Sequence, residues 1–283
     1  MPFSPGAVVP DPGAECPVPA VIAVVASTDL ATGLATSRET RPDGFVIEGE
    51  VAGGHNAPPR GPRRVDDLGQ PVYDERDVVD LDAVLDLGLP VWLAGGYGTP
   101  ERLTEALALG ATGVQVGTAF AFCDESGFAA DIKALVRSKA VDGSLHVRSD
   151  WRASPTGFPF RVADLDGTVS DPAVAQSRPS VCDLGVLRTA YLTDRGTVDF
   201  RCPAEPERAY LRKGGREVNR EGRVCLCNAL LASAGLGQRR PAGAVEPPLV
   251  TAGSDLAAVV ALGSRRGDGS YTAGEVVDYL LTG

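Results

Sequence analysis

The sequence predicts an α/β protein built on a parallel sheet, followed by a second half of irregular α+β character. Three observations carry this. Four short apolar runs alternate with amphipathic stretches between residues 21 and 140, glycines stand at the carboxyl ends of three of those runs, and the alternation stops beyond 140. Strand–helix alternation makes successive strands parallel, with the helices as crossovers. Of 283 residues, 43% are apolar and 23% charged, enough to bury a sizeable core. The formal charge is −10, and the three lysines and 24 arginines form no basic cluster, so nucleic acid is not an expected partner. The longest apolar run, 18–26, is broken by Pro19 and is far shorter than the roughly 20 residues of a membrane helix. No basic, apolar leader precedes it, and a cytoplasmic location is expected.

Residues 1–20, rich in proline and glycine, read as an irregular lead-in. Residues 21–26 form a continuous apolar run, as expected of a strand covered on both faces, and Ser27, Thr28 and Asp29 offer helix caps. A helix over 29–38 follows, with Leu30, Leu34 and Ala31, Ala35 on one stripe. Residues 44–48 are the second strand and run into Ala52-Gly53-Gly54-His55. From Asn56 to Asp80 the chain is a proline-rich loop, longer than an ordinary connection, and reads as a lid or a solvated excursion. A short helix around Leu81, Val84 and Leu85 leads to a third strand at 89–94 and directly to Gly95-Gly96. Thr99 can cap and Pro100 can begin the next helix, which Gly110 ends. A fourth strand at 113–116 is followed by Gly117-Thr118, and a last amphipathic helix covers about 126–139. The extension, 141–283, contains strand-like runs such as 160–162 and helices near 228–234 and 273–281.

Gly95-Gly96 and Gly117-Thr118, at adjacent strand ends, are candidate phosphate cradles. Glycine lets the backbone approach an anion and offer it N–H groups. In a (β/α)8 barrel such a pair follows strands 7 and 8; the competing reading is two tight turns. His55 lies at the same strand-end face and titrates near neutrality, so it can serve as a base or orient a substrate oxygen. His146, outside the repeat, reads as structural. Glu48 can hydrogen-bond a cofactor hydroxyl or simply stand solvated at the rim.

Asp43 to Gly49, Ala52 to His55, Leu93 to Tyr97, Ala106 to Ala111 and Gly113 to Thr118, in this order and spacing, resemble the nitronate monooxygenases. Residues 153–160 and 225–228 resemble the long C-terminal extension of one bacterial subgroup. The resemblance implies an FMN-binding (β/α)8 TIM barrel. It implies that Gly95, Gly96, Gly117 and Thr118 hold the FMN phosphate, that Ala52, Gly53 and Gly54 pass near the flavin ring or substrate, and that His55 is the base. The implied reaction oxidises a nitronate or nitroalkane with dioxygen to a carbonyl compound and nitrite. A basic residue that some relatives carry on strand 5 is missing, since residues 24–27 offer only Ser27.

The four strands correspond to strands 5–8, so residues 21–140 read as a half barrel. A chain start placed too late, a separate N-terminal half-barrel chain, or a homo-oligomer would each account for strands 1–4. Alternatives to the enzyme are an accessory half-barrel subunit or a flavin-dependent enoyl reductase. Cys182, Cys202, Cys225 and Cys227 admit a zinc or iron–sulfur site. They lack paired Cys-x-x-Cys knuckles, however, so ordinary buried thiols are the expectation and no metal ligand is assigned. Cys16 and Cys123 read as structural.

Overall fold

A computed structural model describes residues 19–240 and 243–283. Residues 1–18, with most of the expected lead-in and Cys16, lie outside the described residues. The first part of the chain alternates as its periodicity demands: β1 (Ile22–Val25), α1 (Thr28–Thr36), β2 (Gly44–Glu48), α2 (Leu81–Leu85), β3 (Val91–Ala94), α3 (Pro100–Ala108) and β4 (Gly113–Gln115). The strands form one parallel sheet in the order β1-β2-β3-β4, with Val24 opposite Val46 and Val46 opposite Trp92. The sheet is α/β and parallel as expected, and it is open, with β1 and β4 as its edges.

Local chemistry sets the helix ends. Ser27 accepts from the Leu30 N–H at 3.0 Å and starts α1. Thr99 accepts from the Arg102 N–H at 3.4 Å, with Pro100 in the first turn of α3, and Gly110 stops that helix in the left-handed region. Strand alternation then decides the faces. Val25, Phe45, Ile47, Val91 and Leu93 point to one side and are buried against Ala31, Ala35, Val84 and Ala106 of the three helices. On the other face, Trp92 lies across Gly44 and Gly113: a Cβ on Gly44 would sit 2.8 Å from the Trp92 ring, and one on Gly113 3.2 Å from it.

After α4 (Thr118–Ala121) and α5 (Ala130–Val141) the chain makes two antiparallel hairpins. These pair β5 (Val147–Asp150) with β6 (Phe160–Ala163), and β7 (Thr189–Leu192) with β8 (Val198–Arg201). The remaining helices are α6 (Pro172–Ser177), α7 (Glu207–Arg212), α8 (Leu226–Ser233), α9 (Ala257–Gly263) and α10 (Ala273–Thr282). The boundary expected at 140 falls inside a core. Phe122, Ile132, Val136 and Ala140 pack with Val250, Val259, Leu262, Tyr271 and Val276 in one cluster, and the Tyr271 hydroxyl donates to the Ala119 carbonyl at 2.9 Å. The last 35 residues are thus a wall of the α/β layer.

The loop from 56 to 80 is pinned along its length. It carries a single 3-10 turn at Glu75–Asp77, held by a capping box from Asp74. Arg60 donates through its backbone N–H to Asp77 at 2.7 Å, Tyr73 donates to the Ala57 carbonyl at 2.9 Å, and Gln70 accepts from the Ser149 N–H at 2.9 Å. No helix among the described residues is long and apolar enough to cross a membrane.

Candidate functional site

Two adjoining cavities lie at the carboxyl ends of the parallel strands, where a parallel α/β sheet places its ligands. The smaller, about 300 Å³, is walled by Glu48, Ala52, Gly53, Gly54, Gly95, Gly96, Gly117 and Thr118. All eight residues expected to contact a cofactor therefore meet in one place. The larger, about 590 Å³, extends over β1 and β2 beneath the 56–80 loop, and the two share Glu48, Ala94, Gly95 and Tyr97. Both volumes fall in the range of small-molecule pockets.

The glycines are required by the backbone path. Gly95 and Gly96 have φ of +81° and +82°, and a Cβ on Gly95 would stand 2.9 Å from the Gly49 carbonyl oxygen. Gly117 has no atom of another segment within 4 Å of a built Cβ, so its backbone faces open space. The N–H groups of Gly96, Tyr97, Gly117 and Thr118 donate to no described backbone group. This is a surface of unpaired donors with room in front of it, as an anion requires.

The sequence did not reveal the fourth wall. Residues 251–255 run across the glycines: Thr251 accepts from the Gly54 N–H at 2.8 Å, the Thr118 hydroxyl accepts from the Gly253 N–H at 2.9 Å, and the Ser254 N–H donates to the Val51 carbonyl at 3.0 Å. A Cβ on Gly53 would stand 3.0 Å from the Gly253 nitrogen, so a side chain there would press on this segment. The same segment brings the Asp255 carboxylate to 3.6 Å from the Cβ position of Gly96, a negative charge at the edge of the cradle.

Arg60 is the second residue the sequence did not single out. From the 56–80 loop it reaches the end of β1 and donates to the Ala26 carbonyl at 2.9 Å and to the Arg76 carbonyl, while lining the larger cavity. It makes no salt bridge to a described residue. Arg60 thus brings a guanidinium to the end of β1, beside Ser27, which lines the same cavity. Desolvation raises the pKa values of Glu48 and Tyr97 at the shared wall, and that of Tyr73 on the larger cavity is pushed up to about 12 by the same cause. Asn56, on the same wall and 3% exposed, donates to the Ala52 carbonyl but leaves its own carbonyl oxygen without a described partner.

His55 lines neither cavity. Its ring packs edge-on against Phe160 at 4.8 Å, and Nε2 is 2.6 Å from the buried Ser154 hydroxyl, which also bonds Thr156. Burial lowers its pKa, so the imidazole is neutral near pH 7. It is a base in protonation state, with the extension held against its nitrogen.

The family model for nitronate monooxygenase matches residues 17–155. Residues 17–155 belong to the nitronate monooxygenase family. A nitronate monooxygenase of Pseudomonas aeruginosa is 36% identical over 163 residues, covering 56% of this chain and 43% of that protein. The (3aS,4S,5R,7aS)-5-hydroxy-7a-methyl-1-oxo-octahydro-1H-indene-4-carboxyl-CoA dehydrogenase of Mycobacterium tuberculosis is 29% identical over 103 residues, covering 36% of this chain and 26% of its own. Among solved structures, FabK from Thermotoga maritima superimposes with a TM-score of 0.47 at 20% identity, covering 93% of this chain and 60% of that one. The chain spans less than half the length of the curated relatives it matches. The nitronate monooxygenase segment supplies β1 to β4 and the glycine loops. The Thr251–Asp255 wall lies beyond the matched residues.

Proposed function

We propose that this chain carries the phosphate half of an FMN site in an oxidoreductase of the nitronate monooxygenase type, completed as a (β/α)8 barrel by strands supplied elsewhere. The observation that carries the proposal is the convergence of all eight expected cofactor residues on one cavity that opens into a larger one. The cradle fits a phosphate. A Cβ would fill Gly95's place against Gly49, and four backbone donors are left unpaired there.

Gly96, Gly117 and Thr118 would hold the phosphate, Glu48 would bond a sugar-chain hydroxyl, and Arg60 would supply positive charge beside the ring in the larger cavity. When bound, the flavin supplies the electron transfer, with dioxygen as the oxidant, and the protein supplies binding, orientation and electrostatics. Residues of the 56–79 stretch would form one wall of that chamber. Burial raises the pKa of Glu48, whose carboxylate would accept a hydrogen bond from that sugar-chain hydroxyl. His55 is neutral but held by Ser154, so the substrate best served is one that arrives already deprotonated, a nitronate. Neutral nitroalkanes would need His55 to leave Ser154 and take the α-proton.

The chain mixed with FMN should quench flavin fluorescence, and riboflavin, which lacks the phosphate, should bind at least about tenfold more weakly, the value of one or two charge-assisted hydrogen bonds. Equal affinity for the two, or none for either, would overturn the reading. With the complementary barrel half added, nitrite release from an alkyl nitronate should follow, and His55→Ala should cost nitroalkane turnover more than nitronate turnover.

One observation favours the second reading, an accessory half barrel that docks on another subunit. Edge strand β1 exposes Ile22 and Val24, next to exposed Val21 and Leu30. A monomer that binds FMN tightly by itself would count against it.

A further inference from the structure

The chain around the β7–β8 hairpin buries little aliphatic surface of its own, while Leu187, Val224, Leu226, Ala229 and Leu230 of the flanking segments join a neighbouring core. The hairpin leaves Leu192 70%, Val198 65% and Phe200 47% exposed. Its own buried cluster is Cys202, Ala204 and Cys225, with Cys182 and Cys227 packed against them, so four of the five side chains are thiols. A stretch this small with so little apolar burial generally needs a disulfide or a metal to hold one conformation. All four cysteines are free, so no disulfide does this.

The four sulfurs arrive from three places in the chain: Cys182 from the loop after α6, Cys202 from the end of β8, and Cys225 and Cys227 from the start of α8. Cys182 and Cys227 pack against buried Cys202 and Cys225 in one cluster, close enough for the thiols to act on one another electrostatically. Backbone N–H groups lie near three of the sulfurs: Ala204 near Cys202, Asn228 near Cys225, and Val186 and Leu187 near Cys227. A neutral thiol is a weak acceptor and gains little from such donors, whereas a thiolate gains a charge-assisted bond from each. Arg188 and Lys213 act on Cys182, and Arg178 on Cys225, positive charge suited to a site whose four thiolates exceed the charge of one divalent ion.

We propose that Cys182, Cys202, Cys225 and Cys227 are the four ligands of one structural zinc ion that fastens the β7–β8 hairpin to the start of α8. Tetrahedral Zn–S bonds of about 2.3 Å put the sulfurs about 3.8 Å apart. As packed, the sulfurs are not closed on a common centre, and no group of three ligating side chains among the described residues has metal-holding geometry. Each cysteine sulfur moves on a single torsion and Cys182 and Cys227 are only half-buried, and the proposal requires that side-chain rotation close the set on metal binding. Four protein ligands leave no open position, which makes the ion structural, with its binding energy appearing as folding energy.

The full chain, purified under reducing conditions and passed through gel filtration, should retain about one zinc per chain by elemental analysis. Cobalt substitution should give the visible bands of a tetrahedral tetrathiolate centre. Cys202→Ser and Cys227→Ser should each weaken metal binding roughly tenfold or more, whereas Cys123→Ser, buried in another core, should keep it. Stripping the metal with a chelator should lower the melting temperature and open the 182–227 segment to protease. A folded chain that holds no zinc and is unmoved by chelator would overturn the proposal, and so would a Cys225–Cys227 disulfide in the freshly purified protein. If the serine variants fail to fold, the cobalt spectrum of the unaltered chain decides.

Discussion

Residues 21–115 and residues 178–230 both hang short strands between loops, yet they bury different things. In the first, Phe45, Ile47, Val91 and Leu93 interlock with Ala31, Val84 and Ala106, so burial of aliphatic surface fixes the layer. In the second, the hairpin end packs on thiols, Leu226 and Ala229 join a neighbouring core, and charges tie the segment to residues beyond it: Arg178 and Arg240 hold Glu246, 2% exposed, and Arg240 also pairs with Asp183 at 2.6 Å. Buried ion pairs are costly to break and give little net stability when intact. The first region can therefore carry a site made of backbone, while the second depends on specific polar partners to keep its shape.

The largest expected effect separates the two by truncation. Phe45→Ala, fully buried in the parallel layer, should cost about 3–5 kcal/mol in urea unfolding, whereas Leu192→Ala on the exposed hairpin should stay within about 0.5 kcal/mol. Equal losses would show that the hairpin carries a core of its own. Next comes the cradle. Gly95→Ala must hold a Cβ in the left-handed region 2.9 Å from the Gly49 oxygen, should cost about 1–3 kcal/mol in thermal unfolding, and should abolish FMN binding as read by fluorescence titration. A smaller effect tests the wall that the second half contributes. Asp255→Asn removes a carboxylate from the cradle's edge and should tighten FMN about twofold to fivefold, more at low ionic strength. The smallest is a pH dependence at the seam between the halves. Burial holds the folded pKa of His55 below its ordinary 6.5, so the unfolded chain binds a proton first. The resulting loss of stability sets in as pH falls through about 6.5 and levels off below the folded value. The difference between the unaltered chain and His55→Gln in chemical unfolding from pH 8 to 5 should show it, and a flat difference would place His55 in water.

Much of the parallel layer was legible because local rules set it. Gly44 to Glu48 is a strand as read, Thr99 and Pro100 start α3, Gly110 ends it, and the glycine loops fall at strand ends where an alternating pattern must put them. The remaining features depended on contacts far apart in sequence. Thr251 and Gly253 touch Gly54 and Thr118 across 197 and 135 residues, and no periodicity in either stretch announces it. Arg60 sits in a loop whose irregularity hid its reach to Ala26. His55 follows Gly54 of the cavity wall but lines neither cavity, and its engagement with Ser154, 99 residues away, was beyond local reading. The four cysteines had visible spacing without visible convergence, because the hairpin that joins them is specified by few apolar residues.

The bond between Gly54 and Thr251 also has a meaning in time. During synthesis the four strands and both glycine loops are complete long before Thr251 leaves the ribosome, and at about 5–20 residues per second that interval lasts on the order of ten seconds or more. Throughout it the nascent chain displays an anion cradle lacking its fourth wall. The glycine loops therefore gain the wall formed by residues 251–255 only after more than a hundred further residues have been made.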